Sequence, residues 1–449
     1  MTIAIFATEA LTLQGVVSAL TDEGLDVRAF EPGAPGSTAP PGPEVGKGVL
    51  IFPKHGAGET TSRVSRLLGG GRRLILCAPQ PDGEGRELLK SMGAAEVITP
   101  RTWEPAHVAE RVLAQLILEG DVTPSVFGSI QGATRVMRDL YEQIQLMAPH
   151  PYPVLVLGET GTGKELVAGE IHKHSGRPGE CRVANCGEFS PDLIRSELFG
   201  HKKGAFTGAV DTRRGMLVEA GHGTFFLDEI GELDLRAQAT LLRVIEDKKV
   251  RPVGATLLED APARLVLATN RDLELEREEG RFKQDLLARI RGLTLELRPL
   301  RERRADIPLL VRHFLKEFTG EGKPEPRVPD GAIDCLFNYE WPDNVRELQG
   351  VVRAAAIEGK DGFISGRVLL EATQRGRKRK QKGGAAAPEQ AGHYVPFDPE
   401  TDTRKDFLAR AEAAYFKAVL AAAGGNKTEA ARRAGMSVSQ FYKKLEDIS

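Results

Sequence analysis

The sequence is poor in cysteine and has no long apolar run. Its 449 residues include only Cys77, Cys181, Cys186 and Cys335, with no Cys-x-x-Cys pair. Such sparse cysteines argue against a disulfide framework, and no second ligand pair follows Cys181 and Cys186 to complete a structural zinc site. No window approaches about 18 uncharged apolar residues, and the N-terminus lacks the pattern of a secretion signal. We therefore expect a cytoplasmic protein that has no contact with a membrane.

The chain also lacks an excess of charge of either sign. Lys and Arg number 61 against 63 Asp and Glu, which gives a net charge of −2. This balance excludes a uniformly basic histone-like protein and an acidic solvating tail, so any affinity for nucleic acid must be local. At about 150 residues per domain, the length predicts about three domains.

Residues 1–118 alternate short apolar runs with helical stretches, which predicts a doubly wound α/β domain around a parallel sheet. The predicted strands are Ile3–Phe6, Leu25–Phe30, Val49–Phe52, Leu74–Cys77 and Glu96–Ile98, and the predicted helices are Ala10–Leu20 and Val108–Leu118. The Pro- and Gly-rich segment Pro32–Gly48 predicts a long loop, because proline fixes φ and lacks the amide proton.

A second α/β region follows a predicted linker at 119–127. Its first helix is amphipathic, with a predicted buried face of Val136, Leu140, Ile144 and Met147. Short apolar runs predict buried parallel strands within 128–298, and the pattern becomes helical over 299–372, which indicates a helical lid. The strands are Val154–Leu157, Thr224–Leu227 and Leu265–Ala268, and the lid helices are Ile307–Phe318, Ala332–Asn338, Val345–Ile357 and Val368–Ala372.

The last two segments carry the local positive charge. Residues 373–403 begin with a basic run and continue with small residues, which is typical of a flexible linker, with auxiliary contact to DNA phosphates as the alternative. In 404–449, two helical stretches flank Gly435 with the spacing of a helix-turn-helix. The candidate groove contacts are Gln440, Tyr442 and Lys443, and the candidate phosphate contacts are Arg432, Arg433 and Lys444.

A glycine-rich loop joins the strand Val154–Leu157 to the helix Glu165–His174. Its glycines allow the amides to turn towards phosphate oxygens, and the helix N-terminus adds positive charge. The predicted nucleotide-binding residues are Gly158, Glu159, Thr160, Gly161, Thr162, Gly163, Lys164 and Glu165. Because Glu165 stands where Ser or Thr normally ligands Mg²⁺, the ion must depend on other groups, such as Thr160, Thr162 or a distant carboxylate.

Two acids follow the strand Thr224–Leu227. An acid at the carboxyl end of a parallel strand can hold Mg²⁺, and a second can polarise the attacking water, which are the roles that Asp228 and Glu229 suit. Thr269 and Asn270 follow another predicted strand and can sense the terminal phosphate. Together with the glycine-rich loop, these residues predict hydrolysis of a nucleoside triphosphate.

The segment Gly204-Ala-Phe-Thr-Gly-Ala209 suits a plain turn and a partner-contact loop equally well by composition. Combined with Gly158–Glu165, Phe226–Ile230, Leu300–Arg303 and Trp341–Leu348, it resembles the bacterial enhancer-binding proteins that activate sigma-54 RNA polymerase, the NtrC-like branch of the AAA+ ATPases. The resemblance covers residues 126 to about 372, and the tail resembles the Fis-type helix-turn-helix of these proteins.

The resemblance implies ATP and Mg²⁺ as ligands and gives each site residue a role. Lys164 would bind the β- and γ-phosphates, Asp228 would hold Mg²⁺, Glu229 would activate water, Asn185 would restrain that glutamate, Thr269 and Asn270 would form the first sensor, and Arg346 would be the second. Arg289 matches a trans-acting arginine, whereas Lys283 replaces another and loses its planar fork. The implied sigma-54 contacts are Gly204, Ala205, Phe206, Thr207, Gly208 and Ala209.

The leading hypothesis is therefore an ATP-driven transcription activator that binds upstream enhancer DNA. In it, a homo-oligomer, from dimer to hexamer, moves the tips formed by Phe206 and Thr207 against sigma-54 RNA polymerase and remodels the closed promoter complex. The alternative is a DNA-binding repressor or regulator that uses the AAA+ fold for oligomerisation only, and loss of Gly204–Ala209 would favour it. An AAA+ chaperone or protease regulator is disfavoured by the helix-turn-helix.

The first domain resembles a response-regulator receiver in its order of elements but lacks the receiver's chemistry. A receiver needs an acidic cluster, a phosphorylated aspartate, a Ser or Thr and a lysine after successive strands. The corresponding segments here are Ala7-Thr8-Glu9, Phe52-Pro53, Cys77-Ala78 and Thr99-Pro100. We interpret the domain as a degenerate receiver, or another small α/β sensor, that regulates the ATPase without phosphorylation.

We predict that acetyl phosphate and Mg²⁺ leave residues 1–118 unmodified. The end of the third predicted strand offers no carboxylate to attack a phosphodonor, and Glu9 alone provides little to hold Mg²⁺ beside a doubly charged group. Intact-mass measurement after incubation tests this expectation. A stoichiometric, hydroxylamine-labile adduct within 1–118 would contradict it.

Overall fold

The computed structural model describes residues 2–7, 10–30, 45–51, 73–77, 91, 96–98, 102–119, 122, 125–205, 209–319, 336–358, 431 and 436. The chain divides into two units, Met1–Lys378 and Arg379–Ser449. In the second unit only Ala431 and Met436 are described. The predicted linker 373–403, the rest of the helix-turn-helix and its candidate DNA contacts therefore lie outside the described residues.

The N-terminal domain is built on a parallel sheet of five described strands. Its elements are β1 (Thr2–Ala7), α1 (Ala10–Asp22), β2 (Val27–Phe30), β3 (Val45–Ile51), β4 (Arg73–Cys77), β5 (Glu96–Ile98) and α2 (Pro105–Glu119). The strand order β2-β1-β3-β4-β5 is that of flavodoxin-like doubly wound folds, which confirms the predicted fold class. The predicted loop Pro32–Gly48 is too long, because β3 already pairs with β1 from Val45 onward despite two glycines that disfavour a strand.

The second domain contains a parallel sheet in the order β16-β8-β15-β12-β9, with two-stranded ribbons around it. Its elements are β6 (Ser125–Phe127), β7 (Ile130–Gly132), α3 (Arg135–Met147), β8 (Val154–Gly158), α4 (Lys164–His174), β9 (Cys181–Asn185), α5 (Pro191–Phe199), β10 (Gly200–His201), β11 (Arg213–Arg214), α6 (Met216–Glu219), β12 (Thr224–Asp228), α7 (Leu235–Asp247), β13 (Lys249–Val250), β14 (Glu259–Asp260), β15 (Arg264–Thr269), α8 (Leu273–Glu278), α9 (Gln284–Ile290) and β16 (Thr294–Leu297). The three predicted strands form the centre of this sheet, where both faces are covered. Strand β6 lies within the predicted linker 119–127 and pairs with β7.

The face predicted for α3 is correct at Leu140 and Ile144 and wrong at Val136. Val136 is 37% exposed, whereas Met137, Leu140, Tyr141 and Ile144 form the buried face. Both sets repeat at spacings of three and four residues, so periodicity alone does not separate them. The choice is made by packing, since α3 lies against α4 and β16.

The lid contains α10 (Ile307–Thr319) and α11 (Asn344–Glu358), preceded by two short 3₁₀ turns, Leu300–Glu302 and Arg304–Asp306. Trp341 is fully buried, and its indole Nε1 donates to the Leu336 carbonyl at 3.0 Å. Of the predicted helix Ala332–Asn338, only residues 336–338 are described, and Val368–Ala372 lies outside the described residues.

The N-terminal domain packs directly on the lid. Buried side chains of α2, such as Val112 and Leu113, belong to the same hydrophobic core as Leu310 and Phe314 of α10. The Glu110 carboxylate also accepts the Arg304 backbone N–H at 3.0 Å. The two parts therefore share one apolar interior. Among the described residues, none of the helices is long and apolar enough to cross a membrane.

Candidate nucleotide-binding site

The glycine-rich loop is a tight turn between β8 and α4. Gly161 and Gly163 have φ values of +77° and +107°, in the left-handed region that favours glycine. Lys164 begins α4 and is buried, and its Nζ donates to the carbonyls of Gly158 at 2.9 Å and Glu159 at 3.1 Å. Burial lowers the pKa of Lys164, while the nearby charges of Asp228 and Glu229 act in the opposite direction. The ammonium group is thus held against the backbone at the start of the loop.

The predicted acids lie at the same edge of the sheet as this loop. Asp228 is the last residue of β12, and its carboxylate accepts the Glu229 N–H at 2.9 Å. Glu229 has a φ of +55°, which costs about 1–3 kcal/mol for a residue other than glycine. Such strain is typical of active sites, and here it turns the glutamate out of the strand direction.

Asn185 ends β9 directly opposite Asp228 in the strand register. Its Oδ1 accepts the Gly187 N–H at 2.8 Å. A Cβ on Gly187 would lie 2.4 Å from Oε2 of Glu229 and 3.3 Å from Oδ1 of Asn185, so both side chains flank this glycine. The structure therefore places Asn185 and Glu229 around the same glycine, and the restraining role of Asn185 stays a prediction.

Of the two residues predicted to form the first sensor, Asn270 contacts the loop. Asn270 Nδ2 donates to Thr160 Oγ1 at 3.1 Å, while Thr269 Oγ1 is buried and accepts the Arg271 N–H at 3.0 Å. Arg346, at the start of α11, donates its backbone N–H to the Gly161 carbonyl at 3.3 Å. Its charge also contributes to the lowered pKa of Lys164.

Sequence reasoning missed several lid residues that hold the loop. Nη1 and Nη2 of Arg301 donate to the Glu159 carboxylate at 2.7 and 2.6 Å, and Arg303 donates to the Thr162 carbonyl at 3.1 Å. Asn344 donates to the Thr160 carbonyl at 3.0 Å. Glu159, which was predicted only as part of the nucleotide loop, thus binds the lid through its side chain. The arginines lie in Leu300–Arg303, whose spacing gave no sign of which partner each would have.

A small cavity of about 70 Å³ lies between the β6–β7 ribbon, α4 and the lid. Its apolar lining includes Ile130, Leu310 and Phe314, and at its edge Gln131 Nε2 and His313 Nδ1 are 2.8 Å apart. Small-molecule pockets are typically apolar with a few polar groups, but at about 300–1,000 Å³ they are larger than this cavity. The cavity also borders Thr162 and Gly163 of the loop.

The remaining predicted residues lie on α4 and at α9. Glu165 is exposed on α4, and Arg289 is exposed on α9, with its Nε 3.2 Å from Oε1 of Glu246. Lys283 caps the same helix and donates its backbone N–H to Gln238.

The predicted sigma-54 loop is closed at its base. The Gly204 N–H donates to the Ala209 carbonyl at 2.9 Å. Ala205 is described, but Phe206, Thr207 and Gly208 at the tip lie outside the described residues.

The parallel sheet, the glycine-rich loop, the strand-end acids and the helical lid define a P-loop NTPase of the AAA+ class. Family comparisons match the sigma-54 interaction domain over residues 130–296, the AAA+ ATPase lid domain over 301–386 and the Fis-family bacterial regulatory protein over 407–447. The chain is 40% identical to the transcriptional regulatory protein ZraR of Escherichia coli K12 over 326 residues, which cover 72% of this chain and 69% of ZraR. It belongs to the family of sigma-54-dependent transcriptional activators.

Two further comparisons agree with this assignment. The sigma54-dependent transcriptional activator SfnR of Pseudomonas putida is 41% identical over 254 residues, covering 55% of this chain and 69% of SfnR. A crystal structure of NtrX from Brucella abortus in complex with ADP has a TM-score of 0.51 at 24% identity, covering 100% of this chain and 99% of NtrX, which indicates a shared fold. The family and the fold class predicted from the sequence are confirmed.

Replacing Lys164 with alanine is expected to weaken ADP binding about tenfold to a hundredfold, because a charge-assisted hydrogen bond contributes about 1.5–3 kcal/mol. Titration calorimetry with ADP measures the change. Lys173→Ala is the matched control, since Lys173 lies on the same helix but binds Glu170 and Ser129 at the surface. Equal affinities for both variants would show that Lys164 does not contact the nucleotide.

Proposed function

We propose that this activator hydrolyses ATP between neighbouring subunits of a ring and uses the reaction to remodel the sigma-54 RNA polymerase closed complex. The observation that carries the proposal is a continuous structural path between the acids and the sigma-54 loop. Asn185 flanks Glu229, and the chain then passes through a 3₁₀ turn and α5 into the base of that loop. A change at Glu229 therefore reaches the loop through α5.

The nucleotide site supports both binding of ATP and attack by water. The apolar cavity beside Ile130 and Phe314 borders the loop and supports a base-binding position there, while the loop amides and Lys164 support binding of the phosphates. Asp228 suits Mg²⁺, because this ion is commonly bound through one carboxylate plus phosphates and water. When bound, Mg²⁺ would neutralise charge that develops on the phosphates. Glu229 then orients the attacking water and accepts its proton, with Asn185 restraining it.

The exposed position of Arg289 supports oligomerisation. Arg289 is 61% exposed, outside the contacts that surround Lys164, and so is available to a neighbouring subunit. Lys283, on the same helix, supplies a second positive charge without the planar fork. Thr269, Asn270 and Arg346 report on the terminal phosphate from within the subunit.

The other parts of the chain direct this reaction to promoters. We assign 1–118 to regulation, 119–127 to a linker, 128–298 to the ATPase core, 299–372 to the lid, 373–403 to a basic linker and 404–449 to DNA binding. In the last segment Gln440, Tyr442 and Lys443 read the groove, while Arg432, Arg433 and Lys444 contact phosphates. The protein acts in the cytoplasm, where bacterial transcription takes place.

ATPase activity per subunit is expected to rise with protein concentration as interfaces form. Arg289→Ala and Glu229→Gln should each lose activity, the first by about a thousandfold or more, because a trans arginine is worth that much in related reactions. Mixing the two variants should restore activity, since a mixed interface combines an intact Glu229 with an intact Arg289.

Arg291→Ala is the control for this experiment, because Arg291 is an exposed neighbour that pairs with Glu274. Lys283→Arg should be equally or more active. A specific activity that is independent of concentration, together with no recovery on mixing, would exclude an interfacial site.

The loop tip is expected to couple hydrolysis to promoter opening. Thr207→Ala should keep the ATPase activity but lose open-complex formation, because Thr207 is not among the residues that we assign to the nucleotide site. Permanganate footprinting on a sigma-54 promoter measures opening, with the exposed Thr240→Ala on α7 as control. Normal opening by Thr207→Ala would remove the loop from this role and favour the repressor or oligomerisation hypothesis.

A further inference from the structure

The outer face of the nucleotide loop is bound by the lid through consecutive residues. A loop whose amides face a phosphate must direct carbonyls away from it, and such carbonyls need donors. The lid supplies them: Asn344 donates to Thr160, Val345 and Arg346 donate to Gly161, and Arg303 donates to Thr162.

The approach is close enough to exclude any side chain at Gly161. A Cβ there would lie 2.1 Å from the Asp343 carbonyl oxygen. The glycine at this position therefore serves the contact with the lid as well as the turn. Lid and loop form one fitted surface in this structure.

Glu159 joins this surface to the phosphate-binding lysine. Its carboxylate accepts two N–H groups from Arg301 and one from Asn344, at 3.2 Å, while its backbone carbonyl accepts Lys164 Nζ at 3.1 Å. The hydrogen bonds from Arg301 hold the pKa of the Glu159 carboxyl below its usual value, so the pair is charged near neutral pH. One residue thus contacts the lid by its side chain and the lysine by its backbone.

We propose that the Glu159–Arg301 ion pair positions the nucleotide loop against the lid and slows nucleotide release. This inference rests on the proposed ATPase function. Arg301 and Glu159 are positioning residues here, since they act on the nucleotide through the loop backbone and Lys164. The bidentate fork gives the pair a fixed geometry that a single charge would not supply.

The expected effect is moderate, because Arg301 and Glu159 are 35% and 42% exposed and solvent weakens such pairs. Glu159→Gln and Arg301→Gln should each raise the dissociation rate of a fluorescent ADP analogue about fivefold. The double variant should resemble the single variants, because each substitution already breaks the pair. Arg301→Lys should fall between wild type and Arg301→Gln, since it keeps the charge and loses the fork.

Stopped-flow dissociation of the fluorescent ADP analogue from the full chain measures these rates, with thermal unfolding recorded for each variant. Arg298→Gln is the matched control, because Arg298 precedes the same 3₁₀ turn and pairs with Glu296 and Glu302 instead. Wild-type rates in both single variants would overturn the proposal. So would effects that multiply in the double variant, since independent structural damage is additive in free energy.

The ADP measurement also separates this inference from the proposed function. An absence of ATP hydrolysis in the wild type would refute the ATPase proposal, whereas faster ADP release in the paired variants would still support the ion pair. If Arg301→Gln does not fold, Arg301→Lys and Glu159→Gln carry the test alone. Release as slow as wild type in both would then overturn the proposal.

Discussion

The site depends on one constraint of the backbone: a loop that turns its amides inward around phosphate must place its carbonyls outward. In this protein the outward carbonyls are not left to water. Asn344, Val345 and Arg303 of the lid donate to three successive residues of the loop. Three residues after Arg303, the buried Asp306 carboxylate accepts the backbone N–H groups of Ala133 and Thr134, before α3, at 2.7 and 3.0 Å. The loop, the lid and the entry to α3 are consequently organised by a few residues around Leu300–Asp306.

The buried charges in this segment are expensive to leave unpaired, which explains their dense bonding. Asp306 is fully buried, and burial raises the pKa of its carboxyl while Arg303 and three donors act to lower it. Arg303 is also buried, and it donates to Thr162 as well as to the sulfur of Met137. Removing one partner of such a set leaves the other as an uncompensated charge in the protein interior, which destabilises the fold. These residues therefore stabilise the arrangement of lid and core that this structure shows.

Local sequence patterns predicted the parts of the site that depend on local geometry. The glycines, Lys164 and the strand-end acids Asp228 and Glu229 follow from spacing alone, because the carboxyl ends of parallel strands meet at one edge. The pairing of Arg301 with Glu159 joins residues far apart in sequence, and no spacing rule identifies it. Edge strands were harder for a related reason: β9 and β16 mix polar and apolar residues because only part of each is covered. The face of α3 was ambiguous until α4 and β16 selected it.

The shared interior of the N-terminal domain and the lid has a thermodynamic consequence. Because α2 packs in one core with α10, the two elements move together unless that core opens. Linkage makes any such coupling reciprocal. If a molecule binds the N-terminal domain more tightly in one lid position, it changes the affinity for nucleotide by some factor. Nucleotide then changes the affinity for that molecule by the same factor. Any ligand of this domain that shifts the lid is therefore subject to coupling with nucleotide in both directions.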